Sequence, residues 1–379
     1  MPSDSEEGKV ATVSGKPNVV KCLVWDLDNT LWSGTLLEDG DVKMTEAVRD
    51  VIVELDSRGI LQSVSSKNDH DQAWARLEEL GVAEYFVLPH IGWGRKSDAV
   101  LGIAEQLKFA QNTIAFVDDQ PAERAEVSFH APEVRCYDAV DVLSLPDRPE
   151  FSPQTVTVDS RRRREMYQAG FRRSAEQESF NGPDEDFLRS LELELRIGRA
   201  GEEELSRVEE LTLRTSQMNA TGVHYSDATL RGFLADPDHE VLVATLTDRF
   251  GTHGAIGVML LETGNGSVWN LKLLATSCRV VSFGVGTAIL NWLTDQSARA
   301  GVHLVADFRR TDRNRMMEVA YRFAGFTGEP CDCLAALGTA AGAEDVQRLH
   351  LVPTPREAPT TLTLTAPDLT TGSGPRSTS

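Results

Sequence analysis

Residues 20 to 30, VKCLVWDLDNT, carry an apolar strand directly into two carboxylates, Asp26 and Asp28, at the start of a turn. Side chains alternate along a strand, so these two face the same side, where Asp26 can attack phosphorus and Asp28 can act as general acid. Asn29 and Thr30 come next, placed to tie the turn back to the strand. The same residue types also build ordinary loops that bond their own backbone, so the stretch gains its force from the strands downstream of it.

A second apolar run, ILQSV at 60 to 64, leads into Ser65-Ser66-Lys67-Asn68, which offers a hydroxyl for a phosphate oxygen. A third, TIAFVDDQ at 113 to 120, ends in Asp118-Asp119, and Arg95-Lys96 lies on the connection between the two. A dianionic phosphate beside an attacking carboxylate needs cations. Lys96 and a magnesium ion (Mg2+) held by Asp26, the main-chain carbonyl of Asp28, and Asp118 would supply them. Ser66, Lys96, Asn29 and Thr30 are the phosphate-binding candidates. Between the strands, Val48, Val51, Ile52 and Leu55 recur at helical spacing from Thr45 to Gly59, with a capping residue at each end. Alternating βα units of this length predict a doubly wound α/β fold with its ligands at the carboxyl ends of the strands. The short spacings leave no room for an inserted cap domain, so the site is expected to be open.

In this order, the four elements resemble the haloacid dehalogenase (HAD) superfamily of aspartate-nucleophile phosphotransferases. The expected architecture is a capless HAD-like parallel sheet over 18–148, after a flexible lead at 1–17, followed by a linker and helix over 149–190. Length allows a second full domain: the chain has 379 residues, of which 41% are apolar and 25% charged, ordinary for a globular protein. A net charge of −20 argues against nucleic acid and against an anionic membrane surface as partners. No membrane span or secretory signal is visible, and the five cysteines show no paired framework, which favours a reducing cytoplasm. Cys331 and Cys333 form a C-x-C without metal-type partners near it in the sequence, and read as small semi-buried residues. Two arginine groups, Arg161 to Arg164 with Arg172 and Arg173, and Arg309, Arg310, Arg313 and Arg315, read as solvated helix faces or as a docking patch for an acidic partner.

The second half shows a helix near 201 to 216 and strands near 240 to 247, 255 to 262 and 267 to 275. SCRVVSFGVG then leads into a helix at 286 to 299, followed by the strand HLVADFR and the helix RNRMMEVAYRFAGF. This order resembles GNAT-type acyltransferases and predicts a GNAT-like α/β domain over 191–352. In that fold a Gly-containing turn presents helix N-terminal amides to the phosphates of a pantetheine-bearing ligand, and Gly284 and Gly286 sit where that turn would be. Asn314, Tyr321, Gly325 and Phe326 match the run near the end of such domains. Beyond 352 the chain turns to Pro, Thr, Ser and Gly, so 353–379 is expected to be a disordered tail.

A HAD core followed by a GNAT-like domain resembles the FkbH family of glyceryl transferases of polyketide biosynthesis. The resemblance runs from about residue 20 to residue 330, carried by DLDNTLWSG at Asp26, SKND at Ser66, Lys96-Ser97, VDDQPAER at Asp118, RTSQMNATG at Arg214 and SCRV at Cys278. It implies an enzyme that takes 1,3-bisphosphoglycerate, removes its phosphate groups and loads the glyceryl unit as a thioester onto a phosphopantetheinylated acyl carrier protein. That product would supply methoxymalonyl-type extender units or tetronate rings. Chemically, a thiol at Cys278, just before a helix N-terminus and beside Arg279, is placed for a lowered pKa and for passing an acyl group from an acyl phosphate to a second thiol. The polar run at 214 to 219 is expected to face an inter-domain cleft, with Arg214, Gln217 and Asn219 on the glycerate or its phosphate and His224 as a candidate base. Arg279, Gly284, Gly286 and Asn314 complete the carrier-binding candidates. The alternatives are a stand-alone magnesium-dependent phosphatase with a scaffold GNAT-like half, a non-catalytic binding module, and an N-acetyltransferase.

Overall fold

The computed structural model describes residues 19–153, 156–214, 217–264, 266–337 and 345–370. The lead expected at 1–17 lies outside them. The chain divides into two compact units, Met1–Arg164 and Glu165–Ser379.

The first unit is a parallel sheet with helices between its strands. Its strands are β1 (Cys22–Trp25), β2 (Leu61–Ser66), β3 (His90–Ile91), β4 (Ile114–Asp118) and β5 (Arg135–Asp138), in the order β3-β2-β1-β4-β5. The crossover helices are α1 (Glu46–Ser57), α2 (His70–Glu79), α3 (Lys96–Leu107) and α4 (Pro121–His130). Local signals set their starts: the Thr45 hydroxyl accepts from Val48 N, the Asp69 carboxylate accepts from Gln72 N, and Pro121 occupies the first turn of α4. Leu23, Trp25, Val64 and Val117 are fully buried, and the single polar group among them is matched: Trp25 Nε1 donates to Gln62, which donates to the Ile52 carbonyl. Strand order reverses between β1 and β4, where Trp25 is level with Val64 on one side and Val117 on the other. The crevice at the carboxyl end of that reversal is where a doubly wound sheet takes its ligand. No inserted domain interrupts the connections among the described residues of this unit.

In the second unit, helices α5 (Arg163–Ser179, which starts at the boundary) and α6 (Asp184–Ser190) precede a seven-stranded sheet. Its strands are β6 (Leu193–Arg199), β7 (His239–Asp248), β8 (Gly251–Glu262), β9 (Val268–Thr276), β10 (His303–Phe308), β11 (Gln347–Leu351) and β12 (Leu362–Thr365). Helices α7 (Leu205–Arg214) and α8 (Asp227–Ala235) lie between β6 and β7. Helix α9 (Val285–Ala300) links β9 to β10, and α10 (Arg315–Ala324) and α11 (Asp332–Ala336) lie between β10 and β11. Order is β11-β10-β9-β8-β7-β6-β12, antiparallel except for the β9–β10 and β6–β12 pairs.

Strand β12 corrects the expectation of a disordered tail. Leu362 to Thr365 pair in register with Leu193 to Arg196, and Leu362 and Leu369 join the core. Alternating Leu and Thr in TLTLT is a period-2 pattern, and it outweighs the Pro, Thr and Ser composition that surrounds it. Residues 371 to 379 lie outside the described residues. The first arginine group is also largely absorbed: Arg164 pairs with Asp56, and Arg173 with the buried carboxylate of Asp248, so these two serve packing and not a docking patch. Among the described residues, no helix is long and apolar enough to cross a membrane.

Candidate active site

At the carboxyl ends of β1 and β4 the first unit buries an unusual amount of charge. Asp26, Lys96 and Asp118 are 3%, 3% and 0% exposed. The Lys96 ammonium stands 2.7 Å from Asp26 and also bonds Asp118. Asp119 joins them: one carboxylate oxygen each of Asp26, Asp118 and Asp119 lie within 4.8 Å of one another. Burial pushes the Asp26 and Asp118 carboxyls up, against the pull of Lys96. Burial alone would lower Lys96, and its two carboxylate partners more than offset that, raising it. Asp119 is raised by burial and by the charge of Asp26.

Thr30 holds this group in shape, donating to Asp26 at 3.3 Å and accepting from the Asp119 amide at 3.0 Å. Asn29 takes a left-handed backbone, φ 55°, and its side-chain oxygen accepts from Gly34 N. Both therefore act as turn fasteners, as their position after the carboxylates predicts; the second role expected of them, phosphate binding, is not matched by a free polar group on Thr30. Asp28 accepts from Trp32 Nε1 at 2.8 Å, Leu36 N at 3.1 Å and Asn68 Nδ2 at 3.0 Å. Ser66 ends β2 beside a cavity of about 270 Å³ lined by Ser65, His90, Gly92, Arg95 and Lys96 among others. Helix α3 begins at Lys96, so its N-terminal end borders the same cavity.

The donor set fits a hard divalent cation. Oxygen is the only ligand type offered, and Asp119 Oδ1 is buried with no hydrogen-bond partner, a cost that a bound cation would relieve. Three carboxyl groups also face a single lysine ammonium, so their ionised forms are short of cationic partners within the group. Sequence reasoning named Asp118 for this role and passed over Asp119; the doubled aspartate at the strand end was the available signal.

In the second unit the candidates are not drawn into one group. Cys278 is exposed and opens a short 3₁₀ turn, Cys278–Phe283; Ser277 caps it, accepting from Arg279 N at 3.4 Å. The long helix α9 starts only at Val285, so the thiol does not stand at that helix's end as expected. Gly284 supplies the left-handed residue, φ 71°, between turn and helix, and Gly286 lies in the first turn of α9. Arg214 ends α7, Gln217 is exposed, and Thr215 and Ser216 lie outside the described residues.

Asn219 and Asn314 were expected on substrate or carrier, and the structure engages both with main chain instead. Asn219 is 1% exposed, accepts from Thr221 N and Gly222 N, and donates to the Thr212 carbonyl. Asn314, fully buried, donates to the carbonyls of Asn219, Ala220 and Arg309 and accepts from Thr311 N. His224 is held between Thr212, at 2.9 Å, and Glu209. Together the two asparagines fix residues 218 to 222 where β9 and β10 part. The Ala220 amide bonds the Leu274 carbonyl, Thr276 N bonds the Met218 carbonyl, and Arg309 N bonds the Ala220 carbonyl. The sequence pattern marked these asparagines as polar and special, without showing that the fold needs them.

No family model matches the chain, and no curated protein matches it. Solved structures do. The N-terminal, phosphatase-containing part of a Bacteroides fragilis protein, complexed with Mg, is similar at 28% identity over 36% of this chain and 40% of that chain, TM-score 0.32. The 3-deoxy-D-manno-octulosonate 8-phosphate phosphatase of Moraxella catarrhalis is similar at 20% identity over 27% of this chain and 60% of that one, TM-score 0.23. The ribosomal-protein-S18-alanine N-acetyltransferase of Escherichia coli is similar at 17% identity over 44% of this chain and 97% of that one, TM-score 0.30. The chain thus spans less than two thirds of either phosphatase structure's length. Strand order and connectivity carry the fold assignment: a doubly wound, HAD-like parallel sheet without a cap, followed by a GNAT-like α/β unit.

Proposed function

We propose that this chain is a magnesium-dependent glyceryl transferase and phosphatase, acting on 1,3-bisphosphoglycerate and on a phosphopantetheinylated acyl carrier protein in a reducing cytoplasm. The observation that carries the phosphoryl half is the buried Asp26–Lys96–Asp118 group, with the orphaned Asp119 oxygen beside it and the Ser66 cavity next to Lys96. The HAD-like domain, 18–148, would carry out phosphoryl transfer, and the GNAT-like domain, 191–352, acyl transfer. The wider setting, supply of methoxymalonyl-type or tetronate precursors, rests on the FkbH resemblance.

Asp26 attacks phosphorus through a carboxylate oxygen; the P–O bond to the leaving group breaks, and Asp28 gives that oxygen its proton. Water then attacks the aspartyl phosphate, loses its proton to Asp28 and releases inorganic phosphate. Trp32 and Leu36 both donate to Oδ1 of Asp28, whereas Oδ2 accepts only from Asn68, so Oδ2 keeps a lone pair that can carry the transferred proton. Lys96 and Ser66 orient the transferred phosphoryl oxygens. Bound at Asp26, Asp118, Asp119 and the Asp28 carbonyl, magnesium would add positive charge beside the phosphate. In the acyl half, the exposed Cys278 thiolate takes the glyceryl group from its acyl phosphate, with phosphate leaving. The thioester then passes to the carrier's thiol, a nearly isoenergetic exchange. Arg214, Gln217, Arg279, Gly284 and Gly286 are the proposed contacts of substrate and carrier.

The test is the intact mass of a phosphopantetheinylated carrier incubated with the protein, magnesium and 1,3-bisphosphoglycerate. Gain of one glyceryl unit without phosphate is the expected result, and Cys278→Ala should lower loading to background while phosphate release persists. One observation favours a second reading. Residues 218 to 222 fill the gap between β9 and β10, and both asparagines expected on substrate serve that segment, as suits a scaffold half. Steady phosphate release with no carrier gain from the wild-type protein would select that stand-alone phosphatase.

A further inference from the structure

We propose that the second unit binds a structural zinc ion through Cys331, Cys333, His303 and His350. The sequence separates these residues widely, and the C-x-C alone offers no partners; the fold brings them together. His303 opens β10, His350 lies on the adjacent β11, and Cys331 and Cys333 flank the start of α11. One ligand atom from each lies within 4.8 Å of all the others.

One ligand pair can be compared directly with a tetrahedral site. Zinc bonds of about 2.3 Å to sulfur and about 2.0 Å to nitrogen, at the tetrahedral angle, put the two ligand atoms about 3.5 Å apart. His303 Nδ1 and Cys331 Sγ are 3.4 Å apart.

A second observation points independently to a ligand. His350 is 9% exposed, and its Nδ1 is buried without a hydrogen-bond partner. Its other nitrogen, Nε2, lies 3.3 Å from the Thr327 hydroxyl, whose residue also pairs with His350 through both main-chain bonds. With the Nε2 proton donated to Thr327, Nδ1 is left with an unmatched lone pair, the arrangement in which an outer hydrogen bond fixes the tautomer of a ligating histidine. A structural histidine would leave that lone pair unmatched.

Charge and surroundings select the metal. Two thiolates and two neutral imidazoles cancel the charge of a divalent ion, so the centre is neutral; each thiol gives up its proton to solvent on binding. Sulfur and imidazole suit zinc and exclude magnesium, which takes oxygen. Val268, Val305, Leu334 and Leu337 pack around Cys333 and shield the site. Four protein ligands leave no open position, so the ion would brace α11 and β11 against β10 and take no part in chemistry.

The decisive measurement is the metal content of the full-length protein, purified under reducing conditions without chelator. About one zinc ion per chain is expected. The stripped protein titrated with cobalt should show thiolate charge-transfer and intense tetrahedral d–d bands. Cys331→Ser with Cys333→Ser should lose both, and His350→Ala should weaken them with loss of one ligand's field. Wild-type protein that holds no zinc and gives no tetrahedral cobalt spectrum overturns the site, and does so whether or not the variants fold. Unchanged zinc content in the folded double-serine variant overturns it equally.

Discussion

Lys96 and Asn314 are polar side chains buried to nearly the same degree, and they differ in what their surroundings leave unmet. Asn314 meets four main-chain groups: its two amide hydrogens are shared among three carbonyls, and its oxygen accepts from Thr311 N. Lys96 sits among three carboxylates that outnumber it, beside a cavity, with an Asp119 oxygen that nothing satisfies. A saturated buried group is architecture; a buried group with charge left over has something still to bind.

Asp26→Asn puts the greatest strain on that contrast. It removes the proposed nucleophile while keeping the shape of the side chain, and phosphate release should fall at least about 10⁴-fold. Near-normal turnover by a folded variant would remove Asp26 from the reaction and leave the charged group merely structural.

Lys96→Met comes next. With the ammonium gone, Asp26 and Asp118 lose their buried partner, at a cost of about 3–5 kcal/mol at neutral pH in urea denaturation. The pH dependence has a definite sign. Carboxyls raised by burial bind protons more tightly in the folded state, so acidification through their raised pKa values should restore stability to this variant. In the wild type the same protons compete with the cation, so magnesium affinity measured by calorimetry should fall on acidification, beginning above the ordinary carboxylate range. A magnesium affinity flat with pH would mean that the carboxylates are not its ligands.

Asn314→Ala tests the other member of the pair. The carbonyls of Asn219 and Arg309 and the Thr311 amide lose their side-chain partner, while the Ala220 carbonyl keeps Arg309 N; the loss should be about 2–4 kcal/mol, with phosphate release unchanged where the protein is folded. A variant of normal stability that fails only in carrier loading would return Asn314 to the substrate side.

The two regions were unequally legible in the sequence. Strand–turn chemistry is local, so Asp26, Asp28, Ser66 and Asp118 could be read from residues that lie beside one another at strand ends. Lys96 was legible through its place on a connection. Hydrogen bonds between residues far apart in the chain are not written locally. Nothing near Asn314 announces that it serves the carbonyls of Asn219 and Ala220, and nothing near Cys331 announces His303 and His350. The tail failed for a different reason. Composition over 353–379 concealed a four-residue strand whose register with β6 depends on tertiary pairing.

Two glycines with nearly equal backbone angles give the finest test. Gly59 and Gly284 have φ of 73° and 71°, each in the region that L side chains avoid. A Cβ on Gly59 would collide with the Ser160 carbonyl, whereas one on Gly284 would meet nothing within 4 Å. Gly284→Ala therefore carries only the conformational penalty, about 1 kcal/mol in a thermal or urea melt. Any loss of carrier loading beyond that small destabilisation would report on the turn itself, where main-chain amides at the start of α9 are proposed to meet the carrier's phosphate. If loading is unaltered in the Ala variant, the carrier does not pack against the Gly284 face of the turn, and the main-chain amides of α9 remain available to it.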